Sequence, residues 1–222
     1  MSQPRHPTSH RLYPLYLFLF VIEYSGTFNI GFLVYTGGDV DSYQKGNFKK
    51  LVGFVKGIVK TLKDDGDESR IGIIGYSDTP YLKNRLDNTT YSELEVELDD
   101  LNTTGKGRYI GKALELTSKE LFNQSNGLTG RKSRDIVVVI VDGSSADDIA
   151  VPSFALKENN VTIFSVGIGR YKSGQLNEMA SEPNSEHVFT TNDYEGLGPV
   201  MASLKDAIVK GKEICFIQRS YE

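Results

Sequence analysis

Six consecutive β-branched residues, Ile136-Val-Val-Val-Ile-Val141, leave this chain few ways to fold. Such side chains are stiff at χ1 and favour strands over helices. A run with no polar alternation is buried on both faces, as in a central strand of a largely parallel sheet between helical layers. Phe28–Val34, Arg70–Tyr76 and Val161–Gly167 have the same character and read as its neighbours. Between them the periodicity changes. Phe48, Leu51, Val52, Val55, Ile58, Val59 and Leu62 recur at spacings of three and four, which predicts an amphipathic helix with Lys49, Lys56, Lys60 and Lys63 on its wet face. Further helices are expected over about 109–122 and 197–209, and Asp147-Asp148 read as acids at the start of another. Strands alternating with helices make an α/β protein. With no internal repeat and no Pro- or Ser-rich linker, one domain over about 28–210 with a tail at 211–222 is expected.

The loops at the carboxyl ends of the strands are where such a sheet carries function. They offer little catalysis. Gly167-Ile-Gly169 is followed by Lys172 where a dinucleotide fingerprint needs its third glycine, and Gly105-Lys-Gly107 lacks the Gly-Lys-Ser/Thr of a phosphate loop. No Gly-x-Ser-x-Gly elbow occurs, and His187 has no evident nucleophile beside it. A divergent α/β enzyme is therefore the weakest functional class. With 25 basic against 29 acidic side chains, scattered along 222 residues, no basic patch for nucleic acid is present.

Residues 1–26 read as a secretory signal peptide, with Arg5 and Arg11 ahead of an apolar stretch, Leu12–Ile22, and then Ser25 and Gly26. Eleven residues do not span a bilayer as a helix. Removal of that segment would leave an acidic chain of net charge −5, secreted to the extracellular matrix. Asn88, Asn102, Asn123 and Asn160 each begin an Asn-x-Ser/Thr sequon and are candidate glycan acceptors. The single cysteine, Cys215, excludes a disulfide within the chain; in a secreted protein it suggests an intermolecular bridge to a covalent homodimer, or a free thiol, or an inert one.

Several segments, in order and spacing, resemble the von Willebrand factor type A domain, most like those of matrilins and collagen VI. They are Phe32-Leu-Val-Tyr-Thr-Gly-Gly-Asp-Val40, the amphipathic helix after it, Arg70–Ser77, Gly107–Leu114, Ile136–Ser145 with Asp147-Asp148, and Val161–Gly169. The resemblance implies a doubly wound, mostly parallel sheet with helices on both faces. It also implies a non-enzymatic role in adhesion, with an extracellular protein or a matrix component such as collagen as partner, or a role as a structural matrix building block. Family members commonly carry a metal-ion-dependent adhesion site, built from an Asp-x-Ser-x-Ser loop, a Thr and an Asp. The matching positions here are Tyr35, Gly37, Asp39, Arg108 and Asp142, of which only Asp142 keeps the family residue. No cofactor is expected. Arg108 is expected to pair with Asp142 and with Asp39 in place of the ion; a weak magnesium or calcium site using Asp39, Asp41 and Asp142 is the alternative. In the family, flanking cysteines often pair, and this chain keeps only the C-terminal one, Cys215.

Overall fold

The structure, a computed structural model, describes residues 27–64, 69–123 and 133–210. The expected signal segment, Cys215 and the tail lie outside the described residues. The elements run β1 (Phe28–Tyr35), α1 (Asn47–Asp64), β2 (Arg70–Tyr76), β3 (Tyr81–Asp87), α2 (Tyr91–Asp99), α3 (Ile110–Glu120), β4 (Arg134–Val141), α4 (Ala150–Glu158), β5 (Val161–Ile168), α5 (Ser173–Met179), α6 (Asn184–His187), β6 (Val188–Thr191) and α7 (Leu197–Lys210). The six strands lie in the order β3-β2-β1-β4-β5-β6, parallel throughout except for β3, which is antiparallel to β2. This is a doubly wound α/β sheet.

The four apolar runs are the four inner strands. All eight residues of β1 are buried, and so are Ile136–Val141 of β4. From one side α1 presents Leu51, Val55, Ile58 and Val59, none more than 1% exposed; Leu204 and Ile208 of α7 are fully buried as well. From α3 come Ile110, Ala113 and Leu114, also fully buried. At about 25 cal/mol per Å² of apolar area, such side chains each contribute about 1.5–3 kcal/mol. Two elements follow other rules. Strand β3, Tyr-Leu-Lys-Asn-Arg-Leu-Asp, is a half-exposed edge whose charged residues discourage further pairing. Helix α2 starts with a reciprocal cap: Glu93 N donates to Thr90 Oγ1 (3.3 Å) and Thr90 N to the Glu93 carboxylate (2.8 Å).

Gly53 is exposed in mid-α1, and a β-carbon there would meet nothing within 4 Å. Gly53→Ala is expected to raise the unfolding free energy by about 0.5–1 kcal/mol, because alanine loses less backbone entropy in a helix. A urea titration reads this as a higher midpoint at unchanged slope.

Candidate functional site

The strand order reverses direction between β1 and β4, and the crevice above their carboxyl ends is where an open α/β sheet places its ligand site. Three segments meet there. The β1–α1 loop brings Asp39, the residue after β4 is Asp142, and Arg108 stands two residues before α3. The Arg108 guanidinium lies between the two carboxylates: Nε donates to Asp142 Oδ1 at 2.9 Å and Nη2 to Asp39 Oδ2 at 3.0 Å. Its plane lies over the Tyr35 ring, 4.4 Å from the centroid. The Tyr35 hydroxyl donates to the other oxygen of Asp39, and the Tyr194 hydroxyl to the other oxygen of Asp142 at 2.8 Å. Each carboxylate thus receives one charged and one neutral donor.

Two glycines make room for this arrangement. A β-carbon at Gly37 would lie 1.8 Å from the Tyr35 hydroxyl, and one at Gly143 would lie 2.5 Å from Arg108 Nε. Tyr35 points into the space above Gly37 and is supported from below by Tyr76, whose ring is 5.6 Å away and whose hydroxyl donates to the Ile140 carbonyl at 2.6 Å.

Burial shapes the protonation of the cluster. It pushes the phenols of Tyr35 and Tyr194 up, with their Asp39 and Asp142 neighbours adding to the shift, so both remain neutral donors. Burial alone would lower Arg108, but Asp142 outweighs it and the guanidinium is held above its ordinary value. For Asp39, burial works upward and is outweighed by the hydrogen bonds from Tyr35 and Arg108, so the carboxyl titrates below its ordinary 3.8. A carboxyl lowered on folding contributes stability that is full above its unfolded pKa, near 4, and is lost as pH falls through the folded value. Between about pH 5 and pH 2 the urea midpoint of the native chain is expected to fall more than that of Asp39→Asn, which has no such proton to gain.

The segment carrying Arg108 is fixed at both ends by carboxylates. Asp78 accepts from the Lys106 and Gly107 amides, at 3.2 and 2.8 Å. Asp147 accepts from the Gly111 and Lys112 amides, at 2.9 and 2.8 Å, and from the Ser145 hydroxyl at 2.7 Å. The expectation that Asp147-Asp148 jointly start the helix after them is therefore corrected. Asp148 does accept from the Ala150 amide (3.1 Å), but Asp147 caps α3, which precedes it in sequence and abuts it in space. Asp41 is engaged elsewhere: it is exposed and accepts from the Phe48 amide (2.9 Å) at the first turn of α1. Among the described residues, no group of three or more His, Cys, Asp or Glu is placed to hold a metal ion.

Beside the cluster opens a cleft of about 600 Å³, lined among others by Tyr43, Asn47, Arg170 and Asp193. Sequence reasoning named Tyr35, Gly37, Asp39, Arg108 and Asp142 for this face and missed Tyr194, Gly143 and the cleft. Tyr194 lies 52 residues from the carboxylate it contacts, and no local pattern marks it. The four sequon asparagines, Asn88, Asn102, Asn123 and Asn160, are exposed. Asn160 has φ of 60°, a left-handed conformation that asparagine tolerates better than most residues.

The fold agrees with that of related chains. The family model for the von Willebrand factor type A domain matches residues 29–203. Mouse matrilin-2 is 28% identical over 170 residues, which is 75% of this chain and 18% of matrilin-2. The mouse collagen alpha-4(VI) chain is 30% identical over 175 residues, 78% of this chain and 7% of that one. The chain thus spans less than a fifth of the length of either relative. Proximal thread matrix protein 1 of the mussel byssus superposes with a TM-score of 0.76 over 82% of this chain and 48% of its own, at 22% identity, a likeness of fold. Among the described residues no helix is long and apolar enough to cross a membrane. With the family model matching from β1 into α7, the chain belongs to the von Willebrand factor type A domain family.

Proposed function

We propose that this chain is a secreted matrix or adhesion domain that binds a protein partner through the face above β1 and β4, and does so without a divalent cation. Its homology to matrilin-2 and collagen VI supports the matrix role. One observation carries the rest: the guanidinium of Arg108 lies between Asp39 and Asp142, 3.0 and 2.9 Å away. Calcium takes about six to eight oxygen ligands and magnesium a near-ideal octahedron. The residues here do not fit either ion. Tyr35 turns its proton toward Asp39, Gly37 has no side chain to offer, and Arg108 contributes a positive charge where a cation would need oxygen. The fixed charge instead neutralises carboxylates that would otherwise repel one another in a half-buried crevice.

The proposed role is non-enzymatic. His187, the only histidine among the described residues, faces the Pro183 carbonyl at 3.0 Å and packs its ring 4.9 Å from Phe164. We extend the proposal to the chain's processing: a signal peptide over 1–26, a type A domain over 28–210, glycans on some of the exposed sequons, and a covalent homodimer through Cys215. Mass spectrometry of the secreted, unreduced protein checks these together.

The binding test immobilises the full chain and measures capture from extracellular-matrix extract with and without EDTA. Capture equal in both and lost in Tyr43→Ala, at a rim residue that is 70% exposed, is the expected result. Loss in EDTA would overturn metal independence, and no capture in either buffer would overturn a binding role in favour of a structural building block.

A further inference from the structure

We propose that the cleft beside Arg108 receives a guanidinium, the side chain of an arginine on the partner protein. The inference rests on the reading that this face binds a protein, and it names the chemistry of the contact. Three of the five N–H donors of Arg108 are already committed. Nε and Nη2 are taken by Asp142 and Asp39, Nη1 points at the Lys106 carbonyl at 3.4 Å, and one face of the group is covered by Tyr35.

The unmet demand in the cleft is for a donor. Asn47, 5% exposed, donates from Nδ2 to the Val40 carbonyl at 3.3 Å, while its Oδ1 is buried and has no hydrogen-bond partner. A buried amide oxygen without a donor is unfavourable, and a ligand N–H relieves it once the Asn47 side chain turns toward the cleft it lines. Asp193 adds a carboxylate at the rim; its Oδ1 is held by the Glu195 and Gly196 amides at 2.9 and 3.0 Å, which fixes the group's direction.

The cleft already holds a guanidinium at its mouth. Exposed Arg170 stacks on Tyr43, 3.9 Å from the ring centroid, with Nη1 2.5 Å from the hydroxyl. This contact shows that the wall accepts a planar cation. Arg170 and Arg108 oppose Asp39, Asp142 and Asp193 on the lining. When Arg170 swings outward, three carboxylates face one guanidinium already paired with two of them, and the net negative charge attracts a cation and repels an anion. Arg170 is thus a resident competitor for the partner's arginine.

The test uses the ¹⁵N-labelled full chain and three blocked pentapeptides, each with one central residue between glycines: arginine, glutamate or citrulline. The arginine peptide is expected to shift the Asn47 side-chain amide and the Gly169 and Asp193 backbone amides saturably, with Kd on the order of 1 mM. The glutamate and citrulline peptides are expected to leave them in place. Arg170→Ala should tighten the arginine peptide about two- to fivefold by removing the competitor, and Asp193→Asn should weaken it by about the same factor. Asn47→Leu should weaken it further. Because Arg170 is exposed, its variant remains informative if Asn47→Leu fails to fold. Binding of the glutamate peptide as tight as that of arginine, weaker arginine binding in Arg170→Ala, or no shifts at the cleft would each overturn the proposal. Chelator-insensitive capture would survive any of these, whereas loss of capture in EDTA would remove the reading beneath it.

Discussion

Arg108→Ala is expected to lower the unfolding free energy by about 3 kcal/mol, the low end of what breaking one side of a buried ion pair costs. The low end applies because the pair is not fully enclosed: the side chains of Arg108, Asp39 and Asp142 are 19%, 24% and 10% exposed. The loss comes from the carboxylates left behind. Without the guanidinium, Asp39 and Asp142 keep their tyrosine donors but no charged partner, and face each other across a crevice of low dielectric. Arg108→Lys is expected to recover only part of the loss, since an ammonium cannot reproduce the fork that reaches both carboxylates or stack on Tyr35. The triple change Arg108→Met, Asp39→Asn, Asp142→Asn should recover most of it, because charge imbalance rather than lost attraction is the damage. Urea titrations of the four proteins make this comparison.

Gly111→Ala is expected to destabilise by about 3 kcal/mol, against the usual gain for such a change in a helix. Helix propensity alone would favour alanine by about 1 kcal/mol. The obstacle is backbone. An added β-carbon would lie 1.9 Å from the Asp148 carbonyl oxygen and 2.9 Å from its carbon, so the loop or the helix must move. Either movement pulls Asp147 away from the Gly111 and Lys112 amides and weakens the cap that sets the start of α3, two residues after Arg108. Gly53→Ala is the internal control, being a helical glycine with open space around it. A loss at 111 with a gain at 53 in thermal or urea unfolding would separate the clash from propensity; two gains would refute the packing described here.

The inner strands were legible because burial on both faces leaves one chemical pattern. β1, β2, β4 and β5 match the four apolar runs to within two residues. β3 was not anticipated, since an edge strand open to water keeps polar residues such as Lys83, Asn84 and Arg85 and carries no buried signature. A local signal did exist for α2, in the Thr90-Tyr-Ser-Glu93 spacing of a capping box. The Arg108 pairing was legible only through the family resemblance, which set Arg108, Asp39 and Asp142 at one site and left their charges to imply the contact. Tyr194 and the Asp147 cap on α3 were not, because each joins segments distant in sequence whose contact exists only once the sheet is assembled.

Calorimetric titration of the full chain with magnesium and with manganese tests the central claim most directly. Because Arg108 already lies between Asp39 and Asp142, only heats of dilution are expected, the same in Asp142→Ala as in the native protein. A stoichiometric, saturable heat that disappears in Asp142→Ala would show that the cation displaces the guanidinium, and would contradict the account.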